Sequence, residues 1–284
     1  MKKVVMITGT STGLGVAVAV QAAQAGHTVY ATMRNLDKSA ALRDVAQSAG
    51  VTLNILALDV QRNATITAAV DQVIAEQGRI DVLVNNAGMG FARSLEQAEE
   101  SDITQVMDVN FTGTARCIKA VMPHMRKART GHVINITSVG GLVGQPFNEI
   151  YCAAKFAVEG LTEAMASYIT PSFGIAFTAI EPGGITSEFA NTVLKQIAES
   201  GGMRDDEYTP VLQKYIGAAQ SRLGGDVYQT PEQVAAVVMR EMARQTPAIR
   251  VRTSDWAEEF TQLKTGLDPD GRKVQAMVID RMLT

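Results

Sequence analysis

The sequence predicts an α/β protein built as one doubly wound parallel sheet of about seven strands, with helices on both faces. Three observations carry this expectation. Short β-branched runs alternate with helical patterns along most of the chain. The strand-like runs are apolar throughout, as strands covered on both faces are. No internal repeat or low-complexity linker divides the 284 residues, a length that suffices for a single domain with a well-buried core.

In chain order, strands are expected over residues 3–8, 28–31, 52–58 and 81–85, each followed by a helix. The helix after the fourth strand should run around 102–127. Strands follow at 131–137 and 175–180, with a helix from Tyr151 between them. Thr230-Pro231-Glu232-Gln233 reads as a capping box with proline in the first turn, opening a helix before a last strand at 248–251. The main unit spans 1–252, and 253–284 is a helical extension of the same domain. In it, Ser254 or Asp255 can cap a helix carrying Trp256, Phe260 and Leu263 and ended by Gly266. Asp268-Pro269-Asp270-Gly271 is a turn whose likeness to a calcium loop is superficial, because the later ligands are missing. A last helix would put Val274, Met277, Val278 and Met282 on one face, over either the pocket or a partner subunit.

Composition excludes several function classes. The net charge of -3 comes without a basic cluster, which argues against nucleic acid or an anionic membrane as partner. Apolar residues make up 46% of the chain but fall in short runs, none long enough to span a bilayer. The chain starts almost directly on a strand, leaving no room for a targeting segment, so a cytoplasmic location is expected. Cys117 and Cys152 are far apart and expected to be reduced, and His27, His124 and His132 show no ligand spacing, so no metal site is expected.

The first strand runs into Thr8-Gly9-Thr10-Ser11-Thr12-Gly13-Leu14-Gly15 and then an Ala/Val-rich helix. Glycines so placed allow a tight turn and close backbone approach to a pyrophosphate, whose charge meets the free N–H groups of the helix start. This makes the sheet Rossmann-type. At the end of the second strand, Met33 occupies the position where an acid would bind both ribose hydroxyls, and Arg34 follows. A guanidinium there can pair with a 2′-phosphate, helped by Ser11 or Thr12. NADP(H) is therefore favoured, with NAD(H) the alternative. Asp59-Val60 and Asn85-Asn86-Ala87-Gly88 lie at carboxyl ends of strands, where ligands of open α/β sheets bind. An Asp after a strand, such as Asp59, is more often a helix cap, and Asn86-Ala87-Gly88 reads equally as turn chemistry. Asn110, amid Val109 and Phe111, is a polar residue in a packed helix; its partners could be structural or catalytic.

Tyr151 and Lys155 stand one helical turn apart, on the same face. An ammonium there would lower the pKa of the phenol, which suits proton transfer to or from a carbonyl or alcohol oxygen. Ser138, just past the strand-like run 133–137, could hold the same oxygen. Taken alone, Tyr-x-x-x-Lys is a common pair on an amphipathic helix.

Together, Thr8-Gly9-x-x-x-Gly13-x-Gly15, Asp59, Asn85-Asn86-Ala87-Gly88, Asn110, Ser138, Tyr151-x-x-x-Lys155 and Pro182-Gly183 resemble the short-chain dehydrogenase/reductase family in order and spacing. The resemblance is close over roughly residues 3–190. It implies Tyr151 as general acid and base, Ser138 orienting the substrate oxygen, Lys155 tuning the tyrosine and binding the nicotinamide ribose, and Asn110 supporting a water relay. It also implies Asp59 and Val60 beside the adenine, Asn86-Ala87-Gly88 near the cofactor ribose, and Pro182, Gly183 and Ile185 at the nicotinamide. Ser187 stands where many relatives carry threonine. The 30–34 stretch resembles the 17β-hydroxysteroid and retinol dehydrogenase branch. Family members are usually homodimers or homotetramers built on the helices around 102–127 and 151–170.

Residues 186–228 interrupt the alternation and read as a substrate lid, with Phe189, Val193, Leu194, Ile197, Met203 and Tyr208 for its inner face. Met89, Phe91, Leu142, Phe147 and Cys152 would line an apolar pocket, with Glu149 turned to solvent. The expected activity is an NADP(H)-dependent oxidoreductase interconverting a ketone or aldehyde and an alcohol of medium-to-large apolar shape. A 3-oxoacyl-thioester or small-diketone reductase, or a non-catalytic NADP(H)-binding sensor, are the alternatives.

Overall fold

A computed structural model describes residues 1–186, 206–220 and 227–282. Seven strands form one sheet, β1 (Val4–Thr8), β2 (Thr28–Met33), β3 (Asn54–Ala57), β4 (Val82–Asn85), β5 (Gly131–Ile136), β6 (Ile175–Glu181) and β9 (Arg250–Arg252), in the order β3-β2-β1-β4-β5-β6-β9. Every neighbouring pair is parallel. The strand order reverses between β1 and β4, and ligands of such sheets bind at the carboxyl ends of the strands beside that reversal. A small parallel pair, β7 (Gly184–Ile185) with β8 (Tyr228–Gln229), stands apart from the main sheet.

Strand residues pack on both faces. Val5 and Ile7 of β1 join a core with α1 (Gly13–Gln24), α2 (Ala40–Ser48) and α8 (Pro231–Ala243). Val4 and Met6 join a second core with α3 (Asn63–Gln77), α5 (Gly113–Ala128) and α6 (Glu149–Phe173). This two-sided burial is why the strands read as unbroken apolar runs.

Three details depart from the expected elements. The last sheet strand is Arg250–Arg252, two residues further on than 248–251. The expected helix over 102–127 is α4 (Glu100–Met107) and α5 joined through a π turn at Asp108–Thr112; such turns are frequent at functional sites. The described part of the expected lid carries a regular helix, α7 (Thr209–Gln220).

In the extension, Ser254 Oγ accepts the Ala257 N–H to cap α9 (Asp255–Thr265). The carboxylate of Asp268 accepts the N–H groups of Lys273 and Val274 and so caps α10 (Arg272–Met282). That accounts for the acidic turn without a cation. Helix α10 rests on α6, where Gln275 Nε2 donates to the Ala166 carbonyl at 2.6 Å. Its inner positions are Val274, Gln275, Val278 and Ile279, whereas Met277 and Met282 are exposed. The face expected from apolar spacing is thus rotated, because the Gln275 side chain reaches a backbone carbonyl of α6 and takes an inner position. No helix among the described residues is long and apolar enough to cross a membrane.

A buried polar chain locks α6 onto the sheet. Asn85 Nδ2 donates to Asn135 Oδ1, and Asn135 Nδ2 donates to Thr162 Oγ1, both at 2.8 Å. Thr162 Oγ1 donates on to the Val158 carbonyl. Asn135→Ala strands two buried partners, and urea unfolding is expected to show a loss of about 1–3 kcal/mol.

Candidate active site

The loop after β1 is shaped by close backbone approach. Gly9 has φ +71°, and a Cβ on it would lie 2.7 Å from the Ala87 Cα. A Cβ on Gly15 would lie 2.3 Å from the Gly9 carbonyl oxygen and 2.6 Å from Asn86 Nδ2. Asn86 Nδ2 donates to the carbonyls of Thr8 and Gly9, and Thr8 Oγ1 accepts the N–H groups of Asn86 and Ala87. The Asn86-Ala87-Gly88 turn is therefore part of the glycine loop's scaffold. Thr12 precedes α1 without capping it through its side chain, so the first N–H groups of that helix are left for an anion. Leu14 turns its side chain into the core and can offer only its backbone.

Thr10 bonds the Thr32 carbonyl through both its N–H and its hydroxyl. This sets Ser11 and Thr12 beside the end of β2, where Met33 is buried and Arg34 exposed. Asp59 accepts the Gln61 N–H and lies 3.8 Å from Arg62, an Asx turn ahead of α3. Val60 packs against Gly113 in the core.

Ser138, Tyr151 and Lys155 meet at the end of β5 and the first turns of α6. Ser138 Oγ accepts the Gly140 N–H at 3.0 Å and is hydrogen-bonded to the Tyr151 hydroxyl. Burial pushes the phenol up to about 12, and the Ser138 hydrogen bond works against that rise. Lys155 is 6% exposed and donates to the Ile136 carbonyl at 2.8 Å. Burial holds its ammonium down at about 8, opposed by the charge of Glu159. Its Nζ lies 5.7 Å from the Tyr151 ring centroid. Asn110, in the π turn, clamps Met89 by accepting its N–H and donating to its carbonyl, both at 2.8 Å. Gly88 fits between Asn110 and Lys155: a Cβ there would be 3.0 Å from Asn110 Oδ1 and 3.8 Å from Lys155 Nζ.

The expected pocket residues fall into two groups. Met89 and Phe91 pack with Val106, Ile150 and Ala154. Leu142, Phe147 and Cys152 are buried but lie outside that cluster, and burial pushes the Cys152 thiol up. Phe147 has φ +60°, a conformation rare for an aromatic residue. Its ring meets Tyr208 edge-on at 6.5 Å and Tyr215 of α7 at 6.1 Å. Asn148 Nδ2 donates to the Tyr215 hydroxyl, and Gln97 to Asp206. Helix α7 thus closes over the 145–148 turn. Glu149 is exposed, as expected. Pro182 accepts the Val139 N–H, and Gly183 lies under the Trp256 ring, 3.1 Å from where a Cβ would stand. Ile185 packs on the core through β7. Ser187, Phe189, Val193, Leu194, Ile197 and Met203 lie outside the described residues.

Several residues in this arrangement gave no readable signal. Tyr215, Gln97 and Trp256 enter through contacts between distant segments. Glu159, one turn beyond Lys155, looks like an ordinary i,i+4 helix pair in sequence, yet it is buried. Glu181, at the end of β6, is fully buried, paired with Arg252 at 3.2 Å, and raised to about 7, first by burial.

Residues 3–198 match the short chain dehydrogenase family. A 3-ketodihydrosphingosine reductase of Bacteroides thetaiotaomicron is 35% identical over 98% of this chain and 97% of its own length. The human (Homo sapiens) 17-beta-hydroxysteroid dehydrogenase type 1 is 36% identical over 95% of this chain and 83% of its own. Among solved structures, a short-chain dehydrogenase from Streptomyces avermitilis superposes with a TM-score of 0.77 at 28% identity, covering 99% of this chain and 96% of its own.

The raised Glu181 carboxyl has a consequence for stability. A group whose folded pKa exceeds its unfolded one contributes stability below the unfolded value and loses it as pH rises through the folded one. Between pH 4.5 and about 7, the folded chain keeps a proton that the unfolded chain releases. Melting temperature measured across that window is expected to fall more steeply with pH in the wild type than in Glu181→Gln, by a few degrees.

Proposed function

Because the chain belongs to the short-chain dehydrogenase/reductase family of oxidoreductases, we propose that it is an NADP(H)-dependent enzyme interconverting a ketone or aldehyde and an alcohol, with Tyr151 as general acid and base. The observation that carries this reading is the meeting of Ser138, Tyr151 and Lys155 beside the glycine loop at the carboxyl ends of the strands.

The residues fit a nicotinamide dinucleotide. The cradle excludes side chains at Gly9 and Gly15, Gly13 takes a left-handed φ of +59°, and the uncapped start of α1 offers N–H groups to a pyrophosphate. Asp59, Val60 and Asn86-Ala87-Gly88 would flank the adenine and ribose. Pro182, Gly183, Ile185 and Ser187 would meet the nicotinamide. When bound, the cofactor supplies or accepts the hydride. In reduction the phenol of Tyr151 gives its proton to the carbonyl oxygen as the carbon gains hydride; in oxidation it takes the proton from the alcohol. Ser138 holds that oxygen through the hydroxyl that also bonds Tyr151. The ammonium of Lys155 favours the phenolate left behind and would bind the ribose. Both ends of the Asn110 amide are engaged by Met89, so its side chain supports the reaction by fixing the wall beside Lys155.

NADP(H) over NAD(H) rests on the missing acid at Met33 and on the exposed Arg34, beside Ser11 and Thr12. Apolar lining by Met89, Phe91, Leu142, Phe147 and Cys152, with Phe189 beyond them, supports a large apolar substrate. The two relatives are named for ketone or alcohol chemistry on large apolar skeletons, which supports the same class. An intact Ser/Tyr/Lys set disfavours a non-catalytic sensor. A homo-oligomer would use α4, α5 and α6, where Ile103, Phe156 and Tyr168 are exposed.

Loss of absorbance at 340 nm with NADPH and a panel of ketones, from small diketones and 3-oxoacyl thioesters to steroids, tests the reading. Tyr151→Phe is expected to lower kcat by about 10²–10⁴-fold, with circular dichroism unchanged. Turnover only on the small or thioester substrates would move the substrate class to them. Arg34→Ala is expected to raise KM for NADPH about 10–100-fold, the loss of one or two charge-assisted hydrogen bonds, while leaving KM for NADH nearly unchanged.

A further inference from the structure

The helical extension after β9 reaches back to the wall proposed for the nicotinamide. There the segment after β6 is gripped from three sides. The Pro182 carbonyl accepts the Val139 N–H at 2.9 Å and lies 3.5 Å from Ser138 Oγ, which fixes the segment to the turn after Ser138. Gly184 pairs with Tyr228 across β7 and β8, and a Cβ on it would lie 2.6 Å from the Tyr228 ring. A Cβ on Gly183 would lie 3.1 Å from Cε3 and Cζ3 of Trp256, in the first turn of α9.

Directional bonds hold the start of α9 against that wall. Arg252 pairs with Glu181, the residue before Pro182, at 3.2 Å and with Glu258 of α9 at 2.9 Å. Gln229 Nε2 donates to the Thr253 carbonyl at 2.9 Å, and the Thr253 hydroxyl donates back to Gln229 Oε1. The next residue, Ser254, caps the helix. Trp256 therefore meets Gly183 from a fixed helix start and not from a loop.

Core packing does not account for the indole. The interior face of α9 is Ala257, Thr261 and Thr265, all buried. Trp256 is only half-buried and belongs to none of the hydrophobic clusters among the described residues. Its ring stacks on Phe260 with centroids 4.8 Å apart and planes 11° from parallel, an arrangement that holds two large side chains in one orientation. The pair stands on the flank of the helix as a stiff backing for a bare glycine.

We propose that Trp256 is a positioning residue: braced by Phe260, its indole backs Gly183 and keeps the Pro182-Gly183 backbone where the nicotinamide half of the cofactor rests. The proposal rests on the cofactor reading given above, in which Pro182 and Gly183 meet the nicotinamide. Trp256 acts through that backbone. Without the indole the segment can retreat into the vacated space, which loosens the nicotinamide end. The adenine end, at the glycine loop and Arg34, keeps its own scaffold of Thr8, Thr10 and Asn86. The C-terminal extension then serves the cofactor site as well as the fold.

The experiment compares calorimetric binding of NADPH and of its adenine half, 2′,5′-ADP, by the full chain, beside kcat for ketone reduction. NADH and ADP take their places if turnover proves NADH-dependent. Trp256→Ala is expected to weaken NADPH about 10-fold and to lower kcat about 10–100-fold, the scale of a misplacement of about 1 Å, with 2′,5′-ADP bound as in the wild type. Trp256→Phe, which keeps a ring against Gly183, is expected to restore most of both. Equal weakening of the two ligands marks a general loosening of the fold and overturns the proposal. Gly183→Ala sets a methyl group against the indole; it is expected to show the same selective loss alone and little further loss in Trp256→Ala. Should Trp256→Ala fail to fold, Trp256→Leu replaces it in that cycle, and a cost of Gly183→Ala that is the same with and without the indole overturns the proposal. A wild type that binds neither NADPH nor NADH defeats the cofactor reading beneath. Normal binding and turnover in the wild type and in Trp256→Ala alike defeats the role of Trp256 alone.

Discussion

Lys155 donates from its ammonium to the Ile136 carbonyl at 2.8 Å, and much of the site's geometry descends from that one hydrogen bond. It ties the first turns of α6 to the end of β5, so that Tyr151, a turn earlier, is held over Ser138, two residues past Ile136. Burying an ammonium is costly, and the lowered lysine records the cost. Apolar contacts alone fix a helix axis better than the rotation about it, so such directional bonds matter. The Asn85–Asn135–Thr162 chain supplies a second, directional constraint two helical turns further along.

The cofactor side obeys a different constraint, the exclusion of atoms. Gly9, Gly15 and Ala87 approach so closely that no Cβ fits on either glycine. Asn86 then satisfies the carbonyls that the tight turn leaves facing inward. One side chain thereby closes the loop from β1 against the turn after β4, across the point where strand order reverses. The resulting cradle is rigid before any dinucleotide arrives, which lowers the ordering cost of binding one.

Much of this was readable in the chain. Unbroken apolar strands and a glycine loop opening a helix are local patterns with local causes, and they yielded the sheet, the strand sequence and the dinucleotide cradle. The likeness of the 30–34 stretch to the hydroxysteroid dehydrogenase branch agrees with the relatives found. What escaped depends on contacts between distant segments. The π turn exists because Asn110 must reach the Met89 backbone, and no helical periodicity announces such a partner. Strand β9 starts two residues late because its pairing is dictated by β6. Glu159 has the spacing of a solvated helix pair, and only the packing of the Gly140-Gly141 turn over it reveals that it is buried.

The departures from local rules gather around one place. Phe147 in a left-handed conformation, the π turn at Asn110, a buried lysine and two buried acids all lie within the segments that touch Tyr151 or the turn after Ser138. Each would be destabilising alone, by about 1–3 kcal/mol for the backbone strain and more for an unpaired charge. They persist because the seven-strand sheet and its two cores overdetermine the ends of β4, β5 and β6. The strain at Phe147 turns its ring toward Tyr208 and Tyr215 and so docks α7 over the 145–148 turn that leads into Tyr151.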